Sequence, residues 1–252
     1  MRKTHNNTTI DKEEVAKFSA LAKEWWDESG KFKPLHDINP VRIGYIKEKI
    51  INHFGVKNNT HPFTNLKILD IGCGGGILSV PMRRLGASVT GIDPSEQNIK
   101  IAKKHVEDLN LEIDFQCTDT TSMGKNYQRW FDVVLNMEVV EHVADVEQFL
   151  TESSKLVKHG GLMIISTINK TLKSAIFAKI AAEYILGWIP VGTHQWDKFL
   201  KPGQIMKILD DNKMELLDIV GMSYNLLQKE WYISEKLDVN YICCFKMDYS
   251  AT

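Results

Sequence analysis

A chain of 252 residues is long enough for one large domain, or one domain with an appendage, and 43% hydrophobic with 25% charged residues is the balance of a globular protein that can bury a full core. A formal net charge of −1 gives no global field for nucleic acid or an acidic membrane. No run of about 18 apolar residues is present to span a bilayer, the polar N-terminus lacks the apolar core of a secretory signal, and four cysteines without CxxC spacing read as reduced thiols of a cytosolic protein.

Residues 1–10 are polar and read as frayed. A helical period follows over residues 11–28, carried by Val15, Phe18, Leu21, Ala22 and Trp25, with Asp11 three residues before Glu14 as a capped start. A second helix is predicted over 40–54, with Ile43, Ile46 and Ile50 on one face, and then a loop over 55–65. Short apolar runs at 68–71, 89–93, 112–116, 131–136 and 162–167 read as strands, and helical patterns at 78–85, 95–109 and 139–157 separate most of them. Such alternation implies a parallel sheet with right-handed crossovers. Two further strands, at 214–220 and 239–245, have no ordinary helical crossover between them and fit an antiparallel pair. The expected architecture is α/β: a mostly parallel sheet of seven strands with helices on both faces. A helical cap over 1–64 precedes a domain over 65–252, which carries a helical insertion at about 171–197 before a helix at 202–211.

The strongest motif is Asp70-Ile71-Gly72-Cys73-Gly74-Gly75-Gly76, between a strand and a helix. Glycines there permit a tight turn and close approach of backbone to a ligand, and amides at the next helix start can meet polar ligand groups. A dinucleotide fingerprint would need glycine at position 77, where Ile77 stands, which counts against NAD or FAD. Asp93 ends the second strand, about 20 residues past the loop, where a carboxylate can accept from both ribose hydroxyls. Asp119, after the third strand, fits either an adenine neighbour or a plain loop residue. The glycine loop followed by Gly91-Ile92-Asp93 resembles the class I methyltransferases, a Rossmann-like fold, and this resemblance implies S-adenosylmethionine as cofactor. Asp70, Gly72, Gly74 and Asp93 are then cofactor-binding residues.

After the fourth strand come Glu138, Glu141 and His142, spaced i, i+3, i+4, which share one face if the segment is helical. Two carboxylates and an imidazole could hold a divalent ion such as Mg²⁺, which two adjacent phenol oxygens could chelate. His142 could instead be the base that takes a phenol proton, and an acidic helix start would equally complement the helix dipole. Glu138 and His142 are the catalytic candidates; all three residues are the metal candidates.

A more specific resemblance runs from about Phe18 to Tyr241. Glu24-Trp25-Trp26-Asp27, Pro34-Leu35-His36 and Asn39-Pro40-Val41-Arg42-Ile43-Gly44-Tyr45-Ile46 resemble the N-terminal region of the ubiquinone-biosynthesis O-methyltransferases. Glu183-Tyr184-Ile185-Leu186, Gly192-Thr193-His194 and Asp238-Val239-Asn240-Tyr241 resemble later parts. By that resemblance Arg42, Gly72, Asp93 and Met137 match S-adenosylmethionine-binding positions, and Glu138, Glu141 and His142 match metal-ligand positions. A bidentate guanidinium fork suits a carboxylate, which gives Arg42 a partner in the cofactor. The implied substrates are polyprenylated catechols or hydroquinones, methylated on oxygen at two steps of ubiquinone assembly. Such a tail lives in the bilayer, and residues 173–189, with Ile176, Phe177, Ile180, Tyr184, Trp188 and Lys179, could lie as an amphipathic helix in the lipid interface or serve as a lid. The expected location is the cytoplasm, with peripheral contact at the inner face of the membrane and a place in a biosynthetic complex. The rival readings are a methyltransferase for another small molecule, such as a carbon-methylating quinone enzyme, and a noncatalytic lipid-binding assembly subunit.

Overall fold

The computed structural model describes residues 9–171, 199–225 and 227–249. Within them the strands are β1 (Lys67–Ile71), β2 (Ser88–Asp93), β3 (Asp114–Cys117), β4 (Phe131–Met137), β5 (Val157–Ile168), β6 (Met214–Asn225), β7 (Glu230–Ser234) and β8 (Asn240–Met247). They form one sheet in the order β3-β2-β1-β4-β5-β8-β6-β7. β3, β2, β1, β4 and β5 are mutually parallel. β8 runs antiparallel between β5 and β6, and the expected antiparallel pairing of the last two predicted strands is present. The sheet has eight strands rather than seven; the additional one, β7, pairs antiparallel with β6 at the sheet edge. Trp231-Tyr232-Ile233 carries the β-propensity for it, but charged neighbours on both sides hide so short a strand in the sequence.

The helices are α1 (Lys12–Ala20), α2 (Lys33–Phe54), α3 (Ser79–Arg84), α4 (Glu96–Asp108), α5 (Thr120–Gly124), α6 (Val146–Leu156) and α7 (Pro202–Asp211). Both faces of the sheet are covered, as a parallel sheet requires. On one face Leu69, Val134, Met163, Ile165, Tyr241 and Phe245 pack with Phe149 and Leu150 of α6 and Ile205 and Leu209 of α7. On the other, Ile68, Val133, Leu135, Ile164 and Ile242 pack with Ile46 and Ile50 of α2 and Met82 of α3. The alternation of Val133, Val134 and Leu135 between the two clusters is the period-two signature of a strand buried on both sides. α2 is thus part of the sheet's own outer layer.

Three predicted helices change their bounds, each for a local reason. The first ends at Ala20, and a 3-10 turn over Ala22–Glu24 follows it; its start is capped as expected, with the Asp11 carboxylate accepting from the amides of Glu13 and Glu14. The second begins at Lys33, not residue 40, because Pro34 occupies the first turn, where the missing N–H costs nothing, and Pro40 is carried inside the helix. The pattern over 139–157 is helical only from Val146, where Asp145 accepts from the Gln148 amide at 2.9 Å. The expected insertion falls almost entirely outside the described residues.

Candidate active site

β1 lies between two parallel neighbours, so the glycine loop leaves from the carboxyl edge of the sheet, where α/β folds bind ligands. Gly74 has φ 53° and leaves room for the indole ring of Trp25, which occupies the space a Cβ would need. Asp93 is buried, and its two oxygens are held from different sides. Oδ2 accepts from the Gly74 amide at 3.0 Å; Oδ1 accepts from the Ser95 amide at 2.8 Å and from Asn98 Nδ2 at 3.2 Å. Burial raises the Asp93 carboxyl above its ordinary range and these donors offset part of that rise. Asp70, also buried, accepts from Ser79 Oγ at 2.5 Å, and burial pushes it up to about 7.

These groups border a cavity of about 310 Å³. Arg42, Asp70, Gly72, Asp93, Met137, Glu138, Glu141 and His142 all line it. Gly74 stands behind the wall, where its amide aims Asp93. Asp119 lines the cavity and also caps α5, accepting from the Ser122 amide at 2.7 Å. The N-terminal segment supplies further wall from Thr9, Glu14 and Phe18. It is held there by an antiparallel bridge from Ile10 to Val143, by the Ala144 amide donating to Thr9 O at 2.9 Å, and by Ser19 Oγ against Ser95 Oγ at 2.6 Å.

The segment after β4 departs from its sequence reading. Glu138 has φ 58°, a left-handed conformation uncommon for a residue with a side chain. A single 3-10 turn, Val140–His142, follows it, and Val143 is already extended. The i, i+3, i+4 spacing therefore does not gather three side chains on one helical face. Glu138 Oε1 accepts from Arg42 Nη2 at 2.7 Å and from Ser166 Oγ at 2.7 Å. Glu141 accepts from Thr167 Oγ1 at 2.8 Å, and burial, then the charge of Glu138, raises it to about 7. His142 Nδ1 lies 2.9 Å from Glu14 Oε2, with the Phe18 ring edge-on to the imidazole. Burial alone would lower the His142 pKa, but the bond to Glu14 and the nearby carboxylates raise it; the same bond takes Glu14 down to about 2. Among the described residues no group of three His, Cys, Asp or Glu side chains is placed to hold a metal ion.

A methyltransferase-domain family model matches residues 69–165. The ubiquinone biosynthesis O-methyltransferase of Pelagibacter ubique is 52% identical over 94% of this chain and 98% of its own length. That of Rhizobium etli is 48% identical over 95% and 96%, respectively. The chain belongs to the ubiquinone biosynthesis O-methyltransferases. Among solved structures, the magnesium protoporphyrin IX methyltransferase of Synechocystis PCC 6803 with bound SAH is 21% identical, covers 94% of this chain and 100% of that one, and superposes with TM-score 0.66. The cyclase SpnF, 15% identical over 73% of this chain and 75% of its own, reaches TM-score 0.54. Both likenesses speak for the fold alone, and the second illustrates how little a fold fixes the reaction.

Ubiquinone biosynthesis O-methyltransferases use S-adenosylmethionine, and the residues on the glycine-loop side fit it. Asp93 keeps acceptor capacity toward the cavity after its three donors are counted. Arg42 is buried, and its Nε has no hydrogen-bond partner among the described residues, a donor left over for an anionic ligand group. For a metal the picture is different: Glu138 Oε1 is bonded to Arg42, Glu141 Oε2 to Thr167 and His142 Nδ1 to Glu14, and among the described residues no three-residue group is placed to hold an ion. Sequence reasoning missed Glu14, Asn98, Ser166 and Thr167 as parts of the site. The position of Asn98 three residues after the helix cap Ser95 was a usable signal; Glu14 is 128 positions from its partner and offered none.

Proposed function

We propose that the chain transfers a methyl group to a phenolic oxygen of polyprenylated intermediates in ubiquinone assembly, at both O-methylation steps: 2-polyprenyl-6-hydroxyphenol to the 6-methoxyphenol, and 3-demethylubiquinol to ubiquinol. The observation that carries this is the near-full-length likeness to proteins named for that chemistry. The geometry agrees with it, since an imidazole and the cofactor-side residues line one largely apolar cavity. Bound S-adenosylmethionine supplies an electrophilic sulfonium methyl group. Asp93 and Arg42 fix the orientation of the donor, and orientation of the two reacting atoms supplies much of the rate in such a displacement. His142, held at Nδ1 by Glu14, takes the phenol proton at Nε2, so that the oxygen attacks as phenolate. The apolar cavity wall excludes water, which strengthens every charge interaction inside.

The test is turnover by the purified protein on short-tail versions of both phenols, with the product located by mass spectrometry and NMR. Oxygen methylation of both is expected; methylation at ring carbon alone would replace this reading with a carbon methyltransferase, and cofactor binding without turnover would favour an assembly subunit. We further propose that the protein works at the cytoplasmic face of the membrane, with peripheral contact through residues 173–189 and membership of a biosynthetic complex. No helix among the described residues is long and apolar enough to cross a bilayer. The amphipathic pattern of residues 173–189 supports interfacial contact instead. Flotation with anionic vesicles should carry the protein, and deletion of 173–189 should leave it at the bottom of the gradient.

A further inference from the structure

Trp25 lies outside the motifs that name the cofactor, yet it packs directly against the glycine loop and also lines the cavity. Its ring fills the positions where side chains at Gly74 and Gly75 would stand. Phe32 stacks on the other side at 3.8 Å and 7°, and His36 Nε2 lies 2.8 Å from the Trp25 carbonyl oxygen. Trp25 is only 7% exposed. Its Nε1–H donates to Asn98 Oδ1 at 2.9 Å, and Asn98 Nδ2 is 3.2 Å from Asp93 Oδ1.

The order of these bonds matters. An indole N–H is donor-only and a carboxylate is acceptor-only, whereas an amide side chain has one end of each kind. With the donor-only ring at one end, Asn98 has a single satisfying orientation, and that orientation turns its NH₂ toward Asp93. We infer that Trp25 is a positioning residue of the cofactor site: its ring seats the Gly74-Gly75 backbone, and its N–H, acting through Asn98, aims the Asp93 carboxylate at the ribose position. The segment before α2 is then a working part of the site, and the absence of side chains at 74 and 75 is required by the Trp25 ring packed against them.

Cofactor binding is measured without methyl acceptor, so this primary readout does not depend on which phenol is methylated. Isothermal titration with S-adenosylmethionine and S-adenosylhomocysteine should show about 10-fold weaker binding by Trp25→Phe, the size expected for one lost bond to a charged group acting at one remove. Asn98→Ala should lose a similar factor, and the double variant should be no weaker than Asn98→Ala alone, since both act through one bond. In turnover assays the KM for cofactor should rise while kcat at saturation holds, which a general loss of packing would not produce. Wild-type affinity in either single variant, or losses that multiply in the double, would overturn the inference. In the unmodified protein the Trp25 indole N–H resonance should be protected from solvent exchange and should move on addition of S-adenosylhomocysteine. A fast-exchanging resonance that ignores the cofactor would equally overturn it, whether or not Trp25→Phe folds.

Discussion

The two walls of the cavity are made on different principles. The glycine-loop part of the proposed cofactor wall is made mostly locally: Gly72 to Gly76 and Asp93 lie at the ends of adjacent strands, and Asp93 is held by the Gly74 amide and by residues two and five positions away, with Trp25 the distant support. The wall after β4 is made at a distance: Glu138 is set by Arg42 from α2, Glu141 by Thr167 from β5, and His142 by Glu14 from α1. Backbone geometry at a strand end builds the first, and three separate long-range pairings build the second. Cofactor grip should therefore be robust to changes on the far wall, while turnover should be sensitive to elements that never touch the cofactor.

The sharpest way to break this contrast is His142→Ala. Loss of a general base costs about 10²- to 10⁴-fold in rate, so kcat should fall by that order while calorimetric cofactor affinity stays near wild type. A matched loss of cofactor affinity would merge the two walls. Asp93→Ala should do the reverse: about 100-fold weaker cofactor binding, from two lost ribose bonds, in a protein that still folds but with a lower thermal midpoint, because three donors lose their acceptor. Equal affinity in wild type and variant would remove Asp93 from the site.

Glu138→Gln sharpens the boundary, because Glu138 stands on the far wall but pairs with a cofactor-wall residue, Arg42. Freed from its carboxylate partner, Arg42 should hold the cofactor less well, by roughly 5-fold, the range of one charge-assisted bond acting indirectly; an effect on turnover alone would assign Glu138 to the acceptor side. The smallest effect belongs to Glu14. Its folded pKa is about 2 against an ordinary 4.5, so its stabilising contribution is complete above the unfolded value and is lost as pH falls from 4.5 toward 2. Urea midpoints measured down that range should fall more steeply for wild type than for Glu14→Gln. Parallel slopes would mean that the bond to His142 contributes no stability.

Much of the cofactor wall was legible because its signals are short-range. Positive backbone angles at Gly72, Gly74 and Gly76 demand the residues found there, and an acid at the end of the next strand is a spacing argument. Strand–helix alternation gave the layered fold for the same reason, since burial on both faces writes itself into neighbouring residues. The β7 edge strand was hidden, because one pairing partner and charged flanks leave almost no pattern. The spacing over 139–157 reads as one helix, yet Val143 is drawn into an extended bridge with Ile10.

The sequence by itself determined the α/β layering, the glycine loop, Asp93 as the ribose carboxylate candidate, and membership of the family, because each depends on residues near one another in the chain or on likeness along its length. Only the tertiary structure decided that Glu138, Glu141 and His142 each take a different hydrogen-bond partner, that Glu14 holds His142, and that Trp25 packs against the glycine loop. Those outcomes rest on which buried charges and donors meet across 26 to 128 positions of chain, and a buried polar group takes the partner that packing brings to it rather than the one its spacing suggests.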